Sequence, residues 1–256
     1  MDVVSRCIGQ TLTPQERSNL ELGMLKRGAT ESLLSLRFWG RITGEAQDYL
    51  IAVAVLPGKD YPKKKFYFWY QFPQLNKKKS AMAATLTRRL KGDPAFLVSE
   101  AGEPQNQEEG EAPFCELDRL AYIVEEIDHV ISVVPLEAYV VSPMHQVLAN
   151  PSFHGLKWDQ ATHLYNFFHF RQPDLPERAQ IIEHAEGLVR AGDFLDPLIQ
   201  DLDGAWVLSK DNTGSYVTLR NYLYPGAFSF HRPESSQYGS VYFGDGRKNP
   251  DIAFMI

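Results

Sequence analysis

The sequence predicts an α+β fold: an antiparallel β-sheet with helices packed against it, closed by a C-terminal β-meander. Runs rich in β-branched and aromatic residues come in pairs separated by turn formers, as at 33–56 and 205–231. Between them lie segments whose apolar residues recur every three or four positions, the spacing of an amphipathic helix. With 44% hydrophobic and 12% aromatic residues among 256, the chain has material for a substantial core, and 23% charged residues make an ordinary surface.

The first helix is expected over 14–27. Thr13-Pro-Gln-Glu16 offers an N-cap threonine, proline at N1 and a glutamate that can reach back to the cap. Gly28 offers a left-handed position to end it. Strands follow at 33–42 and 49–56 across the turn-like 43–48, and a very aromatic third strand at 65–71. Residues 80–91 read as a short helix stopped by Gly92, with Pro94 beyond. From Glu116 to Asp128, Leu117, Leu120, Val124 and Ile127 mark a helix, and Val130 to Val134 a strand stopped by Pro135. Pro143 and Pro151 frame a loop. Trp158, Ala161, Tyr165 and Phe168 share a helical face, so a helix is predicted from Trp158 until before Pro173, and another over 181–190. Ala205–Leu208 pairs with Ser215–Leu223 across Asp211-Asn-Thr-Gly214, and Tyr224-Pro-Gly226 turns the chain into Ala227–His231. Val217, Leu219 and Leu223 form the buried face of their strand, against Tyr216, Thr218, Arg220 and Tyr222.

Charge is segregated. Residues 59–91 hold ten basic side chains against Asp60 alone, and 93–128 hold eleven acidic ones against Arg119 alone. Within the acidic block, 100–113 has no apolar period and reads as a mobile, solvated loop. The expected organisation is a helix-plus-strand region at 1–99, the acidic loop at 100–113, and a helical segment with the β-meander at 114–256. The first and last regions are expected to pack as one unit.

The formal charge of −6 argues against a dedicated DNA binder. Cys7 and Cys115 lie outside any CxxC pattern and read as free thiols in a reducing compartment. No apolar run reaches the length of a signal peptide core or the ~20 residues of a membrane span. Phe254-Met-Ile256 is no lipidation box, so cytosolic assembly is the expectation.

Catalytic signatures are weak. His154, His163 and His169 lie close in sequence, but without HExxH or CxxC they make a poor zinc set, and His169 reads as a packed imidazole. On a continuous helix, His163 and His169 would face nearly opposite sides. Tyr238-Gly-Ser-Val-Tyr242 lacks the second glycine of a nucleophile elbow. Glu125-Glu126 and Asp201/Asp203 read as solvated carboxylates. Gly244-Asp-Gly-Arg-Lys248 reads as a tight turn, since a phosphate loop needs four residues between its glycines and a helix after them. No catalytic, cofactor or metal residue is assigned. Lys63-Lys-Lys65 and Lys77-Lys-Lys79 bracket the aromatic Phe66–Tyr70. That pattern leaves three readings: single-stranded nucleic acid binding, contact with an acidic microtubule or protein surface, or lysines guarding an aggregation-prone strand.

Arg37-Phe-Trp-Gly-Arg-Ile42, followed by Asp48-Tyr-Leu-Ile-Ala52, is the first of a series of short segments that share a pattern. Gly92-Asp-Pro94, Phe168-His-Phe-Arg171 with Pro173, and Asp193-Phe-Leu-Asp196 continue it. It is densest from Gly204-Ala-Trp206 through Leu219-Arg220, Pro225-Gly226 and Tyr238–Gly244 to Lys248-Asn249. In order and spacing the sequence resembles the radial spoke head protein 9 family of cilia and flagella over nearly its whole length. It departs from that pattern in the acidic loop and at Ser142–Leu148.

The resemblance implies a non-enzymatic subunit of the axonemal radial spoke head, without cofactors or a small-molecule substrate. It implies association with spoke-head proteins of the four/six type, and indirect contact with projections of the central microtubule pair in the control of dynein. A subunit of that kind needs aromatic surface for partners, because tyrosine joins large contact area to a polar handle. Tyr216, Tyr222, Tyr224, Tyr238 and Tyr242 are the candidate interface residues, with Lys63, Lys64 and Lys65. The rival expectations are a microtubule or nucleic-acid binder using Lys63–Lys79, and an enzyme using the His154/His163/His169 region.

Overall fold

The computed structural model describes residues 2–58, 61–68, 70–98, 113–211 and 213–254. The acidic loop expected at 100–113 therefore lies outside the described residues, apart from Pro113. Helix α1 spans Asp2–Ile8 and α2 spans Pro14–Gly28. The capping box forms: the Glu16 amide donates to Thr13 Oγ1 at 3.2 Å, and the Thr13 amide donates to the Glu16 carboxylate at 2.8 Å. Gly28 does not take the left-handed position expected of it. The helix ends on Ala29 in the right-handed region, with Thr30 Oγ1 donating to the Arg27 carbonyl at 2.9 Å. A side-chain donor thus does the work a left-handed glycine would do.

Strands β1 (Ser35–Ile42), β2 (Tyr49–Leu56), β3 (Lys63–Phe68) and β4 (Tyr70–Gln71) follow. The single strand expected at 65–71 is two antiparallel strands, with Phe68 opposite Tyr70. The reversal brings the Phe72 ring back to 6.4 Å from Phe66. Helix α3 is Lys77–Thr85, displaced from the expected 80–91. It starts early because Asn76 Oδ1 accepts from the Lys79 amide at 2.8 Å, a strong N-cap. It stops early because the carbonyls of Leu86, Arg88 and Arg89 turn to the guanidinium of Arg119.

Helix α4, Glu116–Ile131, runs past the predicted end at Asp128. Ile131 extends the buried stripe of Leu120, Val124 and Ile127, so burial favours another helical turn over the strand expected from Val130. Strand β5 is Val133–Pro135. The loop expected between Pro143 and Pro151 holds part of a hairpin, β6 (Tyr139–Val141) and β7 (Val147–Ala149). The helix predicted from Trp158 to the Pro173 region is mostly absent. Helix α5 is Trp158–Ala161, a 3-10 turn covers Leu164–Asn166, and strand β8 is Phe167–His169. Asn166 Nδ2 donates back to the Gln160 carbonyl at 2.7 Å, closing the short helix. Phe167 to Phe170 are all buried, a continuous run that suits a strand covered on both faces. Helix α6 (Pro176–Glu183) precedes the expected 181–190, followed by β9 (Val189–Arg190) and α7 (Ala191–Phe194). Proline at its first turn and the lack of a helical period after Glu183 set those bounds.

The meander is β10 (Trp206–Lys210), β11 (Val217–Asn221), β12 (Ala227–His231) and β13 (Tyr238–Gly244). Strand β11 ends before the expected Leu223 because Asn221, 2% exposed, turns its Oδ1 to accept from the Tyr224 amide. The main sheet has eight strands in the order β10-β11-β12-β13-β1-β2-β3-β4. Every neighbouring pair is antiparallel except β1 and β13, which run parallel with Gly40 opposite Tyr242. A Cβ on Gly40 would stand 2.3 Å from the Tyr242 carbonyl oxygen, so this junction of the two meanders admits only glycine without displacement. The chain is α+β, as predicted.

Helix α4 crosses one face of the sheet. Its buried stripe packs on Trp39, Ile42, Tyr49, Ile51, Val53, Phe66 and Tyr242. On the other face α1 supplies Val4 to Phe228, Val241 and Phe243. Strands β6, β7 and β9 form a separate small sheet, and β5 pairs with β8. No helix among the described residues is long and apolar enough to cross a membrane.

Trp206 is 8% exposed among Ala205, Val217, Leu219 and Ile252, and its Nε1 donates to Asp201 at 2.6 Å. Trp206→Ala is expected to lower unfolding stability by about 3–5 kcal/mol. Urea denaturation measures this, and a loss below about 1 kcal/mol would place the indole outside the cooperative core.

Candidate interaction surface

The five tyrosines named from the sequence divide. Tyr222, just past β11, is 40% exposed. Tyr216 is half-buried, its ring 6.1 Å from Phe230 in an edge-on contact. Tyr238 is half-buried against Phe153 at 6.0 Å and shares a hydrogen bond with Tyr139, and burial pushes its hydroxyl pKa up. Tyr224 and Tyr242 are core residues, 7% and 0% exposed. The Tyr242 hydroxyl accepts from the Gly246 amide at 2.9 Å, and burial raises the Tyr224 hydroxyl to about 12. The expectation of an outward face fails for these two because α4 covers the side of the sheet that Tyr242 points to. Alternation along a strand marks two faces without saying which is covered.

The lysine cluster divides likewise. Lys63 is exposed and Lys65 lies 3.5 Å from Glu31. Lys64 is not a surface cation. Its side chain is 11% exposed, and its three ammonium protons go to Asp128 Oδ2 at 2.5 Å, Ser132 Oγ at 2.8 Å and the Phe170 carbonyl at 3.0 Å. Asp128 Oδ1 accepts from Trp39 Nε1 at 3.0 Å and from Ser132 Oγ at 2.8 Å. Burial works to raise the Asp128 pKa, but the Lys64 charge and these hydrogen bonds outweigh it and hold the carboxylate ionised. The pair is a structural bolt rather than a contact for acidic polymers. In the second cluster Lys79 is also engaged, 2.9 Å from the buried Asp118.

The histidines do not form one site. His154 and His163 are exposed, and His163 stacks on Tyr165 at 5.2 Å. His169 lies on β8 rather than on a helix, so the helical phase expected for it does not apply. It is 2% exposed, with Nε2 3.0 Å from Asp201. Burial works to raise the Asp201 pKa, and the His169 and Trp206 hydrogen bonds overcome it. Among the described residues, no group of three His, Cys, Asp or Glu side chains is placed to hold a metal ion.

Sequence reasoning missed two buried polar centres. Glu116, 1% exposed, accepts from Tyr49 Oη at 2.6 Å and from the Lys91 and Gly92 amides at 2.7 Å each. Gly92 holds φ +90° there, a backbone that favours glycine. His231, 0% exposed, donates from Nδ1 to the Gln237 carbonyl and accepts at Nε2 from the Leu156 amide at 3.1 Å. Desolvation lowers its pKa to about 4, against a small opposing effect of the Gln237 bond. A glutamate opening a helix and a histidine in a strand carry no sequence signal of such roles.

The segments that carry the family pattern meet one another in space. Arg37–Ile42 and Tyr238–Gly244 are the strands of the parallel β1/β13 pair. Arg171 donates to Asp196 at 3.0 Å, His169 contacts Asp201 beside Trp206, and Gly92 binds Glu116. Arg171, His169 and Trp206 spend polar groups on internal bonds, while Lys248 stays exposed.

No family model matches the sequence. The chain is 36% identical to the radial spoke head protein 9 homolog of Danio rerio, over 97% of this chain and 94% of that protein. The homologs of Bos taurus and Homo sapiens are 32% and 31% identical over the same shares. The chain belongs to the radial spoke head protein 9 family. Membership of this radial spoke family spans both meanders and the helices between them.

The bolt and the buried histidine give measurable expectations. Lys64→Met leaves Asp128 buried without its cation and is expected to cost about 3–5 kcal/mol. Lys64→Met with Asp128→Leu is expected to recover a large part of that loss, which chemical denaturation of both variants tests. His231 takes up its proton more readily unfolded than folded, so it contributes stability above pH ~6.5 that is lost as pH falls toward 4. The denaturation midpoint should decline over that window, less steeply in His231→Gln. Equal slopes would show that His231 is not the titrating group.

Proposed function

We propose that this protein is a non-enzymatic structural subunit of the axonemal radial spoke head. In this reading it is assembled in the cytoplasm and carried into the cilium or flagellum. It binds related spoke-head proteins of the four/six type, helps present the head to central-pair projections, and so supports control of dynein-driven motility. The carrying observation is similarity along 97% of the chain to relatives named radial spoke head protein 9 homolog. The internal use of several shared polar residues, Arg171, His169 and Trp206 among them, supports it: groups consumed in packing build a rigid shape. Tyr222 and Lys63 are the sequence candidates that are exposed for partner contact, with Tyr216 half-buried, and interfaces favour such aromatic anchors.

Affinity capture of the tagged full chain from detergent-stripped cilia, read by mass spectrometry, tests this. Recovery of the other spoke-head subunits in stoichiometric yield is the expected result. Capture of the intact chain without them would overturn the reading.

A further inference from the structure

Helix α4 is covered on one side by the main sheet. On another side Tyr122 and Ile123 stand half-buried, between α3 and the chain that leaves β13. Together with Tyr224 and Pro225 they form the apolar floor of an open groove of about 990 Å³. None of its residues was a candidate from the sequence except Tyr224, whose ring belongs to that floor.

The rim is cationic on a chain whose net charge is −6. Arg247 and Lys248 line it on one side, and the Arg89 side chain, past α3, reaches the lining Asp245 from the other. Asp245 is already shared by Arg247 at 2.7 Å and Arg89 at 3.9 Å. Lys248 has no ion-pair partner among the described residues. Behind them Arg119, 4% exposed, lines the groove and makes no ion pair with a carboxylate among the described residues. Its terminal nitrogens bond to the carbonyls of Leu86, Arg88 and Arg89, and its buried Nε has no hydrogen-bond partner. Among the described residues Glu126, on the α4 wall, is the one lining carboxylate left without a cation, so with Arg89 the site holds four cations against two carboxylates.

We propose that this groove receives an acidic segment of another spoke-head protein, with an apolar side chain seated on Tyr122 and Ile123. The apolar floor supplies the contact area and the cationic rim selects and orients a negatively charged chain. Arg89 and Lys248 supply the charges that such a segment neutralises, and the Arg119 field adds to theirs. The partner class rests on the spoke-head reading above; the groove's charge and shape do not.

The test uses the full chain with a photo-crosslinking residue at Thr87, an exposed position on the groove wall, returned to cilia that lack the protein. The expected product is a crosslink to a net-negative, apolar-containing segment of a different spoke-head subunit. A synthetic peptide of that segment should bind the purified chain, weaken as salt rises, and bind at least tenfold more weakly to Arg89→Glu/Lys248→Glu. That variant changes two exposed side chains and should keep its melting temperature. Co-assembly with a crosslink to a neutral or basic segment, to a second copy of this chain, to tubulin, or to nothing, overturns the proposal and leaves the spoke-head reading intact. An unchanged peptide affinity in the charge-reversed variant overturns it as well. Failure of the chain to enter spoke heads overturns both.

Discussion

The ion pair between Lys64 and Asp128 is the constraint on which the rest of the architecture depends. It joins strand β3 to helix α4, and through the Phe170 carbonyl it reaches the chain that follows β8. Trp39 of β1 closes it from the sheet. Buried charges are costly unless every lone pair and proton is used, and here Lys64 makes three bonds and Asp128 has both oxygens engaged. A helix packed by apolar contacts alone could slide along its stripe; one bolted by a desolvated pair has a single position of low energy. At the other end of α4, Glu116 holds the Lys91–Gly92 backbone. The helix dipole favours a carboxylate at that N-terminal end and disfavours one near the C-terminus, so the Lys64 charge is needed where it is.

The second constraint is topological. Two antiparallel meanders, one from each end of the chain, are joined into one sheet by the parallel contact of β1 with β13. The backbones come so close at Gly40 that Tyr242 leaves no room for a side chain. The family pattern at Arg37–Ile42 and Tyr238–Gly244 falls on the two strands that make that contact. For a scaffold the consequence is stiffness: exterior groups are carried on a sheet whose distant parts are hydrogen-bonded together.

Much of this was legible in the residues. The Thr13–Glu16 capping box, the apolar stripe from Leu120 to Ile127 and the Asp211–Gly214 turn each announced the element they form. Elements were misread where a tertiary partner overrode local pattern. Trp158, Ala161, Tyr165 and Phe168 fit a helical face, yet Phe167 to Phe170 enter a space closed on all sides and extend as a strand. The 86–89 stretch looked helical until Arg119 claimed its carbonyls. The exposed surface was read less well than the fold: Tyr222 stayed outside while Tyr242 did not, and Arg119, Tyr122 and Lys248 give no local sign that they share a groove.

What the sequence determined by itself was the fold class, the kinds of element and the family, because these rest on propensity, periodicity and order along the chain. Which face of the sheet α4 covers, which lysine becomes a buried bolt, and which cations gather beside Tyr122 were decided by the tertiary structure alone. The reason is physical: burial and charge pairing depend on distances between residues far apart in the chain. Lys63, Lys64 and Lys65 are identical as letters, and only the position of Asp128 across the core makes the middle one different.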